Sequence, residues 1–137
     1  MSRTTHPLRI ATLLADLIAP AHASVPAGTS TERMRLFATC AGRVAARIEH
    51  DWLLARGSDP VRTRLRRDLD ALIEALLPIT LAQGLDGARA LHLRLSAKVA
   101  QAVLLQQADL GPDNTHAERA RRLAHGQLST CQALLPG

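Results

Sequence analysis

TSTERMRLFATCAGRVAARIEHDWLLARG, residues 29–57, is the stretch whose reading decides the fold. Met34, Phe37, Cys40, Ala41, Val44, Ile48, Trp52 and Ala55 recur mostly in steps of three and four, the spacing that gathers side chains on one side of an α-helix. Arg43 and Arg47 fall on an outer face, and Arg47 can reach Asp51 one turn on. Thr29 and Glu32 stand at capping-box spacing, so the helix starts near Thr31, and Gly57 ends it.

The same grammar extends downstream. Ser58-Asp59-Pro60 is a start signal, an N-cap side chain followed by a proline whose fixed φ suits a first helical turn. Val61, Leu65, Leu69, Leu72, Ile73, Leu76 and Leu77 then mark a third helix, which stops at Pro78 or passes through it towards Gln83. After Gly84 and Gly87 a fourth runs from about Ala88 to Ala108. It carries two adjacent apolar stripes: Leu91, Leu95, Val99, Ala102 and Val103, then Leu93, Ala97, Ala100 and Leu104. A helix apolar over so wide an arc is either central in its bundle or buried against a partner. Past Gly111-Pro112-Asp113 a fifth begins at Asn114 or Thr115, with Thr115 and Glu118 spaced as a second capping box. Its inner face is Ala117, Ala120, Ala124, Leu128, Cys131 and Leu135.

Upstream, Ile10, Leu13, Leu14, Leu17 and Ile18 make a shorter amphipathic helix over Pro7–Ala19, and Pro20 and Pro26 bound the linker after it. The expectation is an all-α, antiparallel bundle of four long helices plus a shorter N-terminal helix. It forms one domain over 1–137, with the N-terminal helix and linker in 1–30 and the core bundle in 31–137.

Composition agrees. Hydrophobic residues are 47% of the chain and aromatics 1%, so Leu, Ala, Val and Ile must build the core. Ala and Leu favour helices, while the β-branched and aromatic residues that favour strands are few. No apolar run is long enough to span a membrane, and the chain reads as a soluble protein. Arg3 and Arg9 precede the apolar stretch Ile10–Ala19, and Ala21-His22-Ala23 has the form of a signal-peptidase site. Asp16 and the amphipathic spacing weigh against a leader. The expected location is the cytoplasm, with export and cleavage near Ala23 as the less favoured alternative. Cys40 and Cys131, far apart and each on an apolar stripe, read as two buried, reduced thiols; a disulfide would require an oxidising compartment.

The search for chemistry yields little. No two of the six histidines are paired at four-residue helical spacing, and no Glu-x-x-His pair occurs, so no metal site is expected. Glu49-His50-Asp51 is the densest group, but adjacent helical residues diverge, and a solvated helix edge is the expected reading. There is no nucleophile elbow and no glycine-rich phosphate loop, hence no catalytic residue and no cofactor to name. Leu123-Ala124-His125, with Gly126, Leu128, Ser129 and Thr130, resembles the histidine-phosphotransfer bundles, which implies His125 as phosphoacceptor. Leu128 and Ser129 replace that family's lysine and glycine. His50-Asp51 resembles a sensor-kinase phosphoacceptor, with Leu54 where a polar residue belongs. Leu65 to Leu72 resembles the first helix of helical chorismate mutases, which Pro78 interrupts. None of the three identifies a family.

Nearly all the positive charge is arginine, with a formal net charge of +5 and a pI near 10.9. Arg62, Arg64, Arg66 and Arg67 cluster on one helix and Arg119, Arg121 and Arg122 on another. Arg62, Arg66, Arg119 and Arg122 are therefore the candidates for contacting nucleic-acid phosphates. Asp68, Asp70 and Glu74 oppose that reading, and the scarcity of aromatics argues against base stacking. The preferred expectation is a non-enzymatic regulatory or adaptor protein acting through helix-mediated contacts. Its partner is a second copy in a homodimer or another helical protein. Nucleic-acid association is second, and phosphotransfer or another small enzyme third.

Overall fold

The computed structural model describes residues 28–135, and the helix expected over Pro7–Ala19 lies outside them. The described residues form four helices and no strand: α1 (Ser30–Leu53), α2 (Pro60–Ala82), α3 (Gly87–Leu110) and α4 (Asn114–Gln132). This is the all-α bundle the periodicity predicts. None of these helices is long and apolar enough to cross a membrane.

Each start is set by a side chain that satisfies free backbone N–H groups. At α1 the Glu32 amide donates to Thr29 Oγ1 (3.2 Å) and the Thr29 amide donates to Glu32 Oε2 (2.8 Å), closing the expected capping box. That backbone bond holds the Glu32 carboxyl below its usual pKa. Asp59 caps α2 ahead of Pro60, as expected. At α4 the second capping box does not form. Asp113 is the cap, accepting from the Thr115 (2.7 Å) and His116 (3.1 Å) amides, while Glu118 pairs with Arg121 and Arg122. A short carboxylate already at the N-cap leaves Thr115 inside the helix. Pro78 does not stop α2, which continues to Ala82.

Successive helices run antiparallel: Asp51 at the end of α1 meets Arg62 at the start of α2, and Ala108 and Gln101 of α3 meet Arg121 and Ala124 of α4. The most extensive packing joins α1 and α3, which run in the same direction. Gly42 permits it. A Cβ there would overlap the Arg94 carbonyl oxygen of α3, so any other residue would push the two helices apart.

The larger core cluster is Phe37, Cys40, Ala41 and Val44 of α1 with Leu65 and Leu69 of α2 and Leu128 and Cys131 of α4. A smaller one at the other end joins Met34, Leu85 and Ala90. Trp52, expected in the core, is 78% exposed. Each four-residue step carries a side chain about 40° past a full turn. The run Val44, Ile48, Trp52 thereby rotates out of the contact, and Asp51 and His50 occupy the buried positions. Ala55, assigned to the same stripe, lies beyond the helix end with φ of 53°. Val61 is exposed as well.

The cysteines are not thiols. Cys40 of α1 and Cys131 at the end of α4 form a disulfide between Cα atoms 5.4 Å apart, both residues fully buried. Each was correctly read as facing inward. That both reach the same layer of the core depends on how α4 folds back across a separation of 91 residues.

Candidate functional site

Two surface features stand out. The first is a ridge on α3. Leu91, Leu95, Val99 and Val103 stand every fourth residue, and they are 56%, 51%, 63% and 44% exposed. The inward positions of this helix are taken instead by Ala90, Gln101, Leu105 and Ala108. Of the two expectations for this helix, central in the bundle or buried against a partner, the first fails: the stripe faces away from the bundle, whose central helix is α1. At about 1.5 Å per residue, the ridge runs about 18 Å from Leu91 to Val103. Of the charged residues on α3, Arg94 pairs with Asp70 (2.8 Å) and Lys98 with Glu49 (2.7 Å). Arg89 and His92 stand near the N-terminal end of the ridge, and Gln106 and Asp109 beyond its C-terminal end.

The second feature is a cleft of about 320 Å³ at the end of the bundle where α1 gives way to α2. Arg47 comes from α1, Arg56 from the turn after it, Arg62 from the first turn of α2, and Arg121 and His125 from α4. Leu105, Ala108, Ala124 and Leu128 supply the apolar lining.

Two carboxylates organise these cations. Asp51, almost wholly buried, accepts from Arg47 Nε (3.0 Å) and from Arg62 Nη1. Asp109 accepts from His50 Nε2 (2.8 Å) and Arg56 Nη1 (2.9 Å). Burial pushes the Asp109 carboxyl up, but the hydrogen bonds from Arg56 and His50 outweigh it and hold its pKa below the ordinary value. Asp109 in turn raises that of Arg56. The solvated edge expected at Glu49-His50-Asp51 therefore holds for Glu49 alone, since His50 and Asp51 are buried. The adjacent side chains diverge as expected, and each finds a partner on another element: His50 meets Asp109, 59 residues away, and Asp51 meets Arg62, 11 residues away, in addition to Arg47 on its own helix.

The arginines singled out for phosphate contact do not share one surface. Arg62 opens on the cleft. Arg66 borders a shallow depression with Arg67, Asp70 and Glu74. Arg119 borders a groove with His116 and Leu123, and Arg122 pairs with Glu118 (3.2 Å). His125 is exposed on the cleft wall, its Nδ1 3.4 Å from the Ser129 hydroxyl. The spacing that lets Arg47 reach Asp51 is borne out at 2.9 Å, but no local signal shows that Arg47, Arg56 and Arg121 join Arg62 around one cleft. Among the described residues no group of three or more His, Cys, Asp or Glu side chains is placed to hold a metal ion.

No protein-family model, curated protein or solved structure matches this chain.

Proposed function

We propose that the chain is a non-enzymatic regulatory or adaptor protein that works through helix-mediated contacts, and that its α3 ridge is the contact face of a homodimer. The ridge itself carries the reading: four aliphatic side chains aligned on one face, each about half exposed, with the bundle core already filled on the opposite side. Isolated exposed leucines are ordinary, whereas an aligned row of them is not.

A second copy suits this face for two reasons. Side chains at every fourth position make the ridge that packs into the groove of an identical helix. A two-fold axis near the middle of the row also sets the Arg89 and His92 end of one copy against the uncharged Gln106 end of the other, so no like charges are opposed. The nucleic-acid reading has less support, because Arg62, Arg66, Arg119 and Arg122 do not share one surface that a nucleic-acid backbone could follow.

The disulfide bears on location. A buried disulfide persists in an oxidising compartment and is rare in the cytosol. It supports export with cleavage near Ala23 over the cytoplasmic expectation, and the mass of the mature protein from its native host tests this. A chain starting at Ser24 is the expected result, and an intact Met1 chain with free thiols counts against it. For the dimer, light scattering over a concentration series is expected to give twice the chain mass. A strict monomer throughout would remove the proposal.

A further inference from the structure

We propose that the arginine-walled cleft binds a small organic anion: an oxyanion head, phosphate or carboxylate, on a compact apolar body. This goes beyond the dimer reading and does not depend on it.

The groups on the wall set the sign of the ligand. Four guanidinium groups, those of Arg47, Arg56, Arg62 and Arg121, face the cleft against one carboxylate, Asp109. The other acidic partners stand apart from the lining: Asp51 is buried beneath the arginines, and Asp59 and Glu118 pair with Arg62 and Arg121 from outside it. Asp51, Asp59, Asp109 and Glu118 balance the four arginines in formal charge, so it is the donors turned to the cleft, and not a net charge, that favour an anion there.

Donors remain for a ligand. A guanidinium has five N–H groups. Arg47 presents Nε and Nη2 to Asp51, which leaves Nη1. Arg56 gives Asp109 only a bond from Nη1, which leaves Nε and Nη2. The same ion pairs hold the side chains in place before a ligand arrives, so little ordering entropy is lost on binding. Planar forks fixed in this way suit bidentate contact with phosphate or carboxylate.

The floor and the volume set the body. Leu105, Ala108, Ala124 and Leu128 form an apolar surface beneath the cations, and His125 and Ser129 add an imidazole and a hydroxyl. A volume of about 320 Å³ lies at the small end of ligand pockets, which run from roughly 300 to 1,000 Å³. That suits a single ring or a short alkyl chain rather than a nucleotide or a peptide.

The test is titration calorimetry on the full chain at low ionic strength with phenyl phosphate, benzoate, inorganic phosphate and benzyl alcohol. At least one of the two aryl anions is expected to bind saturably at one site, the tighter of them naming the head group. Benzyl alcohol is expected not to bind, and inorganic phosphate to bind more weakly than phenyl phosphate. The double substitution Arg56→Gln/Arg121→Gln, at side chains 43% and 56% exposed, should weaken binding by about tenfold or more. Arg122→Gln, which loses a comparable surface pair outside the cleft, should change it by less than about twofold. Should the double variant fail to fold, His125→Ala at the exposed wall is expected to weaken binding measurably. The ridge variant Leu95→Glu/Val99→Glu, on the face proposed for the dimer and outside the cleft, should bind as the parent does. The proposal is overturned if neither aryl anion saturates, if benzyl alcohol binds as well as they do, or if Arg122→Gln weakens binding as much as the cleft variants.

Discussion

α1 and α3 are parallel, in contact and equal in length at 24 residues, yet they use their apolar side chains in opposite ways. α1 buries eleven residues, because α2, α3 and α4 all pack on it. α3 buries four, although it is the more apolar helix of the two, and it turns Leu91, Leu95, Val99 and Val103 outward. Position in the bundle therefore decides burial more than composition does. Among the described residues, the helix with surplus apolar surface is the one that lacks neighbours on its outer side.

The largest effects are expected at the contacts that fix α1 in place. The Cys40–Cys131 bond closes a loop of 91 residues onto that helix. Replacing both cysteines by alanine should cost about 4.6 kcal/mol by loop-closure entropy, read from the denaturant midpoints of parent and variant. A loss below about 1 kcal/mol would mean that packing alone holds α4 to α1. Next in size is Gly42→Ala, which drives a methyl group into the α3 backbone. It should destabilise by about 1–3 kcal/mol, although alanine is the better helix former. No change would mean that the helices can separate freely.

The same substitution placed on each helix sharpens the contrast. Val44→Ala, at a site 1% exposed, should cost about 2 kcal/mol, and Val99→Ala, at 63% exposed, less than about 0.5 kcal/mol in the monomer. Equal costs would contradict the assignment of inner and outer faces.

The smallest expected effect concerns the polar clamp between the C-terminal ends of the two helices. Asp109 of α3 holds His50 of α1 and Arg56 just after it, and its carboxyl is held below the ordinary pKa. A lowered folded-state pKa contributes stability above the unfolded value of 3.8 and loses it as pH falls through the folded one. The melting temperature should therefore drop as acid is added below about pH 4, and Asp109→Asn should flatten that part of the profile. An unchanged profile in the variant would count against the clamp.

Much of this fold is written locally. The caps at Thr29 and Asp59 and the inner face of α4 follow from spacing within a turn or two, whereas α1 ends at Leu53, a turn before the expected Gly57. What escaped depends on distant chain. Trp52 left the core because small rotations accumulate along α1, and Asp113 displaced Thr115 because a nearer carboxylate was available. Gly42 looks like a weak point in a helix until α3 is laid against it. The cleft was the least legible feature: Arg62 was singled out, but Arg47, Arg56, Arg121 and Asp109 join it from four separate elements. His125 was named for phosphotransfer, and its neighbours across the cleft could not be read from the chain.

Sedimentation equilibrium on the parent chain and on Leu95→Glu/Val99→Glu is the most direct test of the surplus apolar face of α3. The parent should sediment as a dimer and the variant as a folded monomer, with matching helical circular dichroism. A parent that stays monomeric at tens of micromolar, or a variant that remains dimeric, would contradict the dimer proposal.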